Sequence, residues 1–262
     1  MSVIPIVIPF YKAQDKLEKC IRHIEASTAR NTEIFVRDNS NDNILFTAAV
    51  NEGLRKYAYR EDVKYILIQN QDAYVAPDAI ERLVEFMDGM PTCGISAPLQ
   101  VAHDGHSVTW GGSLNAFPYG VHHCETLDYY KTPLETYWAN GASMMVRAEL
   151  VREIGLLDKN MRFICSDVDF SFSARARGWR IAIVPSAVVE HSISSSVGND
   201  QNMELALVKE QDALYFAQKW LSGDLYRLLS YEGKNLSRLE IQKGIDLFQK
   251  NILFAKKKLS GS

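Results

Sequence analysis

The first 90 residues alternate short apolar runs with stretches whose apolar residues recur at helical spacing, and few folds accommodate that alternation. VIPIVIPFY (3–11) is β-branched and proline-bounded, KLEKCIRHIEAS (16–27) has helical spacing, and EIFVRDNS (33–40) is a second strand running into polar residues. FTAAVNEGLRKYA (46–58) reads as a helix and KYILIQNQD (64–72) as a strand. APDAIERLVEFMDG (76–89) reads as a helix with Pro77 in its first turn and Gly89 at its stop. Strands separated by helices predict an α/β fold whose mostly parallel sheet is covered by helices.

The chain has 262 residues, 47% of them hydrophobic and 10% aromatic, enough to bury the core of one large domain or of one domain with an appendage. A formal net charge of -3, with acidic and basic residues interspersed, gives no positive field for nucleic acid, so no nucleic-acid partner is expected. The opening MSVIPIVIPFYK lacks the features of a signal peptide, and no run approaches ~20 apolar residues, so a cytoplasmic protein is expected. Cys20, Cys93, Cys124 and Cys165 lie far apart with no C-x-x-C pairing, which argues for free thiols rather than a zinc site or disulfide framework.

In open α/β sheets the ligand crevice lies outside the carboxyl ends of the strands, and Asp38 and Asp72 both stand at such ends. By residue preference alone a helix cap or turn is the commoner role for either. The strand before Asp72 nonetheless stops on Asn70 and Gln71 with no glycine or proline to turn it. From residue 94 to about 138 the pattern weakens to a Gly-, His- and aromatic-rich stretch with short strands at most, suiting either a substrate-facing region or irregular surface. Order returns at ANGASMMVRAELVREIGLLD (139–158), a small-residue turn, a strand and a helix ending near Gly155. FICSDVDFSFSARARGWRIAIVPSAVVEH (163–191) reads as acidic residues opening a helix that Gly178 closes, a strand at 180–184, Pro185, a further short strand and His191.

VIPFYKAQDKLEKCI, RDNSND, ILIQNQDAYVAPDAIERL, NGASMMVRAELVREIGLLD, SDVDFSFSARARGWRIAIVPSAVVEH and YFAQKW follow one another over roughly residues 3 to 220. In order and spacing they resemble the family 2 glycosyltransferases, nucleotide-sugar-dependent enzymes with a GT-A (Rossmann-like) fold, and within them the rhamnosyltransferase-like branch. The resemblance implies a GT-A domain over 1–200, with a donor half over about 1–98 and an acceptor half over about 99–200.

It also implies a chemistry. A departing nucleoside diphosphate gathers negative charge, which a divalent cation such as Mn²⁺ or Mg²⁺ neutralises, and hard cations choose carboxylate oxygen. The family's Asp-x-Asp reads Asn70-Gln71-Asp72 here, making Asp72 the metal carboxylate and leaving Asn70 to contact sugar, ribose or a metal-bound water. His191 matches a histidine that adds a nitrogen ligand in many relatives. Asp167, in Ser166-Asp167-Val168-Asp169, matches the general base, which a helix N-terminus is expected to keep ionised; Ser166 replaces a glutamate of the family, and Asp169 would orient the acceptor or brace the loop. Pro9 and Tyr11 match the loop lining the base, and Asp38 the carboxylate that reads the uracil or thymine edge of a UDP- or dTDP-linked donor. Gly141 would let backbone approach the donor, although packing explains a glycine equally well. Trp110, Trp138, Tyr129 and Tyr130 could stack on acceptor sugars, although each residue alone is more often core.

The resemblance, together with one candidate base and no paired nucleophile, implies transfer with inversion to a glycan or lipid-linked saccharide, and the family likeness implies the setting of bacterial surface-polysaccharide assembly. A nucleotide-sugar or glycan binder without turnover is the competing reading, motivated by Asn70 and Ser166. A nucleotidyltransferase fits less well, because PFYKAQDK carries no Gly-rich phosphate loop. MELALVKEQDALYFAQKWL (203–221) and LSRLEIQKGIDLFQKNILFAKKKL (236–259) make a C-terminal helical extension over 201–262. Its basic end suits peripheral contact with the inner face of an anionic membrane, and a helical cap or homodimer contact is the plainer alternative.

Overall fold

The computed structural model describes residues 2–114, 121–192, 202–221 and 238–260. Its strands are β1 (Ile4–Phe10), β2 (Thr32–Asp38), β3 (Tyr65–Gln69), β4 (Ala73–Val75), β5 (Cys93–Val101), β6 (Val108–Trp110), β7 (Ser113–Leu114), β8 (Val121–His122), β9 (Leu134–Glu135), β10 (Ser143–Arg147) and β11 (Arg180–His191). The helices are α1 (Gln14–Glu25), α2 (Leu45–Tyr57), α3 (Ala79–Gly89), α4 (Ala148–Ile154), α5 (Ser166–Ala176), α6 (Met203–Leu221) and α7 (Arg238–Leu259).

The main sheet runs β2-β1-β3-β10-β5-β11-β4, with β6 added to β5 and β9 to β11. β1 pairs in parallel with β2 and β3, and β11 with β5, whereas β10 is antiparallel to both neighbours and β4 is antiparallel to β11. The sheet is therefore mostly parallel, as the alternation predicts, with β10 inserted in the opposite sense. Because the strand period is two, β1 sends Ile6 and Ile8 to one face, under Leu17, Cys20 and Ile24 of α1 and Leu83 and Met87 of α3. Val7 goes to the other face, with Val50 and Leu54 of α2, Leu150 of α4 and Phe170 of α5. Both faces are dry, which is why these strands read as continuous apolar runs. A third cluster joins Phe172 of α5 to Phe216 and Trp220 of α6 and Phe248 of α7.

Three features depart from the sequence reading. CGISAPLQV, inside the stretch expected to hold short strands at most, is the nine-residue strand β5, buried at every position. It alternates nothing because both its faces are covered, and the position between 98 and 99 expected to divide donor and acceptor halves falls within it. β4, three residues long, follows the polar turn directly. The two segments expected around Pro185 are one strand, β11, whose register against β5 shifts between Val184 and Val188, so the proline sits in a bulge where no ladder donor is missed.

The predicted stops hold: Gly155 caps α4 at φ 89° and Gly178 follows α5 at φ 86°. All four cysteines are free, and burial pushes the Cys20 thiol up to about 12 and that of Cys93 to about 11, as for inert core thiols.

Asn51 ties α2 to the segment leading towards α5: its Nδ2 donates to the Leu157 carbonyl at 2.8 Å and its Oδ1 accepts from the Leu157 N–H at 3.0 Å. Asn51→Ala strands both backbone groups in the core and is expected to cost about 2–4 kcal/mol. A urea midpoint unchanged from wild type would contradict this.

Candidate active site

β3 ends at Gln69, whose buried amide donates to the Ala73 carbonyl at 2.6 Å and accepts from the Ser143 hydroxyl at 2.7 Å. The turn that follows is closed by the Ala73 N–H on the Asn70 carbonyl (3.2 Å), while the Asn70 N–H donates to Ala142 (2.8 Å). Hydrogen bonds thus do the turning without glycine or proline. Gln71 clasps Tyr11 in both directions, its Oε1 accepting from the Tyr11 N–H at 2.7 Å and its Nε2 donating to the Tyr11 carbonyl at 3.1 Å. Nothing in the sequence marks Gln71 for this, since its partner lies 60 positions away.

Past the turn, β4 pairs Ala73 with His191. His191 is buried, its Nδ1 3.0 Å from Gln100 Oε1 and its Nε2 3.8 Å from Asp72 Oδ1, and burial pushes its pKa below the usual range. The Lys16 ammonium lies 3.4 Å from Asp72 Oδ2. A hard carboxylate and a neutral imidazole facing one another, the imidazole braced on its far side, form a donor set that fits Mn²⁺ or Mg²⁺ with other ligands supplied by diphosphate and water. Among the described residues no group of three or more His, Cys, Asp or Glu side chains converges to hold a metal.

Asp167 occupies the first turn of α5. One oxygen accepts the Gly141 N–H at 2.8 Å and the other the Val168 N–H at 2.9 Å. A Cβ on residue 141 would lie 2.9 Å from Phe46 Cζ and 3.2 Å from the Asp167 carboxylate, so glycine is what lets the backbone come this close. Although part of Asp167 still faces solvent, the surrounding walls desolvate it and raise its pKa, against the lowering effect of those backbone N–H groups. The expectation that the helix N-terminus keeps the carboxyl ionised thus meets an opposing and larger effect of burial. The residue before the helix, Cys165, holds φ at 67°, a conformation unusual for a side chain-bearing residue.

Asn70, Gly141, Asp167, His191 and Trp138 line one cavity of about 440 Å³, with Phe46 and His122. No sequence signal marks His122; its ring lies 5.5 Å from that of Trp138, and desolvation lowers its pKa. Pro9 sits in register with Arg37 and Phe10 with Asp38, so Tyr11 and Asp38 leave the sheet at the same carboxyl edge. Both are exposed, and the hydroxyl and N–H of Ser40 hold the Asp38 carboxyl below its usual range.

Two expected residues, Trp110 and Asp169, stand elsewhere, as does Ser166, which replaces a glutamate of the family. Trp110 is fully buried behind Trp138, its ring centroid 6.2 Å away and its Nε1 donating to Ser113 Oγ at 3.1 Å, so it backs the pocket wall and offers no face for stacking. Ser166 is buried, its hydroxyl 2.8 Å from that of Thr47. Asp169, expected to orient an acceptor or brace a loop, is buried and braces α6: the Lys219 ammonium donates to Oδ2 at 3.0 Å and Trp220 Nε1 to Oδ1 at 2.9 Å.

The architecture is that of GT-A transferases. Solved structures with similar folds include GalNAc-T7 with UDP, GalNAc and Mn²⁺ (TM-score 0.56, 14% identity, 98% of this chain and 58% of that one). Another is TarS of S. aureus (TM-score 0.55, 11% identity, 95% of this chain and 43% of that one). The chain thus spans about half the length of these two structural neighbours. The profile of "Glycosyltransferase like family 2" matches residues 45–208, and the chain belongs to that family of enzymes. Two curated relatives, from Mycobacterium tuberculosis strains CDC 1551 / Oshkosh and H37Rv, are each 22% identical over 263 residues, covering 83% of this chain and 85% of theirs. Each is named N-acetylglucosaminyl-diphospho-decaprenol L-rhamnosyltransferase.

Removing the cation from a buried ion pair leaves a charge without compensation, so Lys219→Met is expected to lower stability by about 2–4 kcal/mol at pH 7. Burial already raises the pKa of Asp169 and Lys219 opposes that rise. In the variant the carboxyl takes up a proton more readily, and the deficit against wild type therefore shrinks as pH falls. Thermal melts at several pH values check the sign; a deficit that grows on acidification contradicts it.

Proposed function

We propose that the protein is a metal-dependent, inverting glycosyltransferase that moves a sugar from a UDP- or dTDP-linked donor to a glycan or lipid-linked saccharide. The observation that carries this reading is the pocket in which Asp167, fixed by the Gly141 N–H, shares one cavity with Asn70 and His191, the latter beside Asp72. In the chemistry we infer, Asp38 and Tyr11 receive the nucleoside at the open edge of the sheet, Pro9 shapes that loop, and Asn70 and Gly141 border the donor sugar. Asp72 and His191 would hold a divalent cation, which when bound neutralises charge on the departing diphosphate.

The acceptor hydroxyl attacks the anomeric carbon as the bond from that carbon to the diphosphate oxygen breaks, and its proton passes to the Asp167 carboxylate. No covalent enzyme intermediate is needed, and one displacement inverts the centre. A raised carboxyl pKa makes Asp167 a stronger base while ionised, and the largely buried Trp138 lines the pocket wall on which an acceptor sugar would rest.

We also assign the catalytic domain to residues 1–200 and a helical extension to 201–262, working at the cytoplasmic face of a membrane. No helix among the described residues is long and apolar enough to cross a membrane. α7 exposes Leu247, Leu253 and Phe254 near Lys256, Lys257 and Lys258. The lipid-linked substrate in the name of the mycobacterial relatives supports an acceptor held at such a surface, in the assembly of bacterial surface polysaccharide.

Asp167→Asn is expected to lower transfer about 10²–10⁴-fold, measured as nucleoside diphosphate released with acceptor present. In wild type the rate falls as acid protonates Asp167, and the raised pKa places that limb at higher pH than an exposed aspartate would. EDTA should abolish transfer, Mn²⁺ restore it, and Asp72→Ala should resist restoration. Full activity in EDTA, or in both variants, sinks the mechanism. For the membrane contact, phosphatidylglycerol vesicles should co-sediment the protein and phosphatidylcholine vesicles should not, with Phe254→Ser weakening the interaction; equal recovery in both refutes it.

A further inference from the structure

We propose that Gln100 is a positioning residue that fixes His191 in the tautomer able to ligate a cation beside Asp72. The inference rests on the cation reading above and adds to it a residue that touches neither donor nor acceptor.

Gln100 is the penultimate residue of β5, with no exposed surface, next to Val189 of β11 in the parallel register. Its Oε1 is 3.0 Å from His191 Nδ1. A carbonyl oxygen can only accept, so Nδ1 must carry the hydrogen, and in the neutral ring Nε2 then carries the lone pair. Nε2 faces Asp72 across 3.8 Å, too long for a hydrogen bond between them. An N–H at that position would be drawn to the carboxylate, whereas a lone pair opposite a carboxylate is an arrangement a cation resolves. The same ring with its hydrogen on Nε2 would present no donor atom to a metal.

A second observation points the same way. The Gln100 Nε2 amide is buried and has no hydrogen-bond partner among the described residues. A buried donor left unpaired costs about 1–3 kcal/mol, which leucine or methionine of similar volume would avoid. The amide oxygen therefore explains why glutamine stands here, in the orientation that directs Oε1 at Nδ1; the reversed amide would donate to Nδ1 and put the hydrogen on Nε2, the outcome that the tautomer measurement below distinguishes. Outer partners of this kind set ring orientation and tautomer in histidine metal sites, and their removal lowers metal affinity about 10–100-fold.

The test uses the full chain with two readouts. ¹⁵N shifts of the His191 ring in the metal-free protein report the tautomer directly, and Mn²⁺ titration followed by EPR, with UDP present, reports affinity. Wild type is expected to show the Nδ1–H tautomer. Gln100→Leu should lose that preference and bind Mn²⁺ about 10–100-fold more weakly. Gln100→Glu, whose carboxylate accepts the same hydrogen, should keep both properties, a rescue that a space-filling role would not produce. Circular dichroism and melting curves exclude unfolding, and Gln100→Met serves if the leucine variant does not fold. An Nε2–H tautomer in wild type, or Mn²⁺ binding in the folded apolar variant equal to wild type while Asp72→Ala abolishes it, overturns the role of Gln100 alone. Absence of Mn²⁺ binding by wild type overturns that role and the cation reading together.

Discussion

Only Asn70, Gln71 and Asp72 separate β3 from β4, yet β10, β5 and β11 lie between those strands in pairing order. Four residue steps span at most about 14 Å, so the sheet cannot be flat. β11 resolves the conflict: its register shift between Val184 and Val188 bends the strand, and its last residues come back to pair with Ala73. That tether governs the site. It carries His191, from a strand more than a hundred residues later, to the side of Asp72, and it makes the polar turn a corner of the sheet rather than a loop.

The remaining polar groups gather at the same edge because the parallel strands all end there. β10, inserted in the opposite sense, begins where β3 finishes, and so delivers Gly141 and Ala142 to the turn. Asp167 and Asp169 then illustrate how a single helical turn serves two ends. Asp167 faces the cavity, where burial and two backbone N–H groups act on it in opposite directions. Asp169, two residues on, faces α6 and is neutralised there by Lys219. Identical side chains thus acquire unlike chemistry from the surfaces they meet.

Apart from β4, the alternation of β1 through α3 was legible because the helices there carry a clear period, the strands are unbroken apolar runs, and each has a polar boundary. β5 was not, since a strand covered on both faces has no period to detect and CGISAPLQV mixes glycine, serine, proline and glutamine among its apolar residues. β4 is too short to carry a pattern, and the bulge around Pro185 looks in sequence like a break. Among candidate site residues, Asn70, Asp72, Gly141, Asp167 and His191 stand out through the family resemblance, and the structure gathers them at one edge. Gln71 fills the variable position of its motif, and Gln100 and His122 belong to none; their positions depend on partners 60 or more positions distant or on a segment without periodicity. Trp110 shows the reverse case, an aromatic residue whose type suits a sugar platform but whose place in the sheet is interior.

The brace at Asp169 bears on where the folded unit ends. Helix α6 supplies the ammonium of Lys219 and the indole of Trp220 to a carboxylate that also belongs to the helix bearing Asp167. A chain shortened at residue 200 would leave Asp169 charged in an apolar recess and bare Phe172 to water at the same moment. The catalytic residues within 1–200 therefore lean on the first helix of the extension, and the helix that looks in sequence like an accessory is part of the wall against which the rest of the enzyme closes.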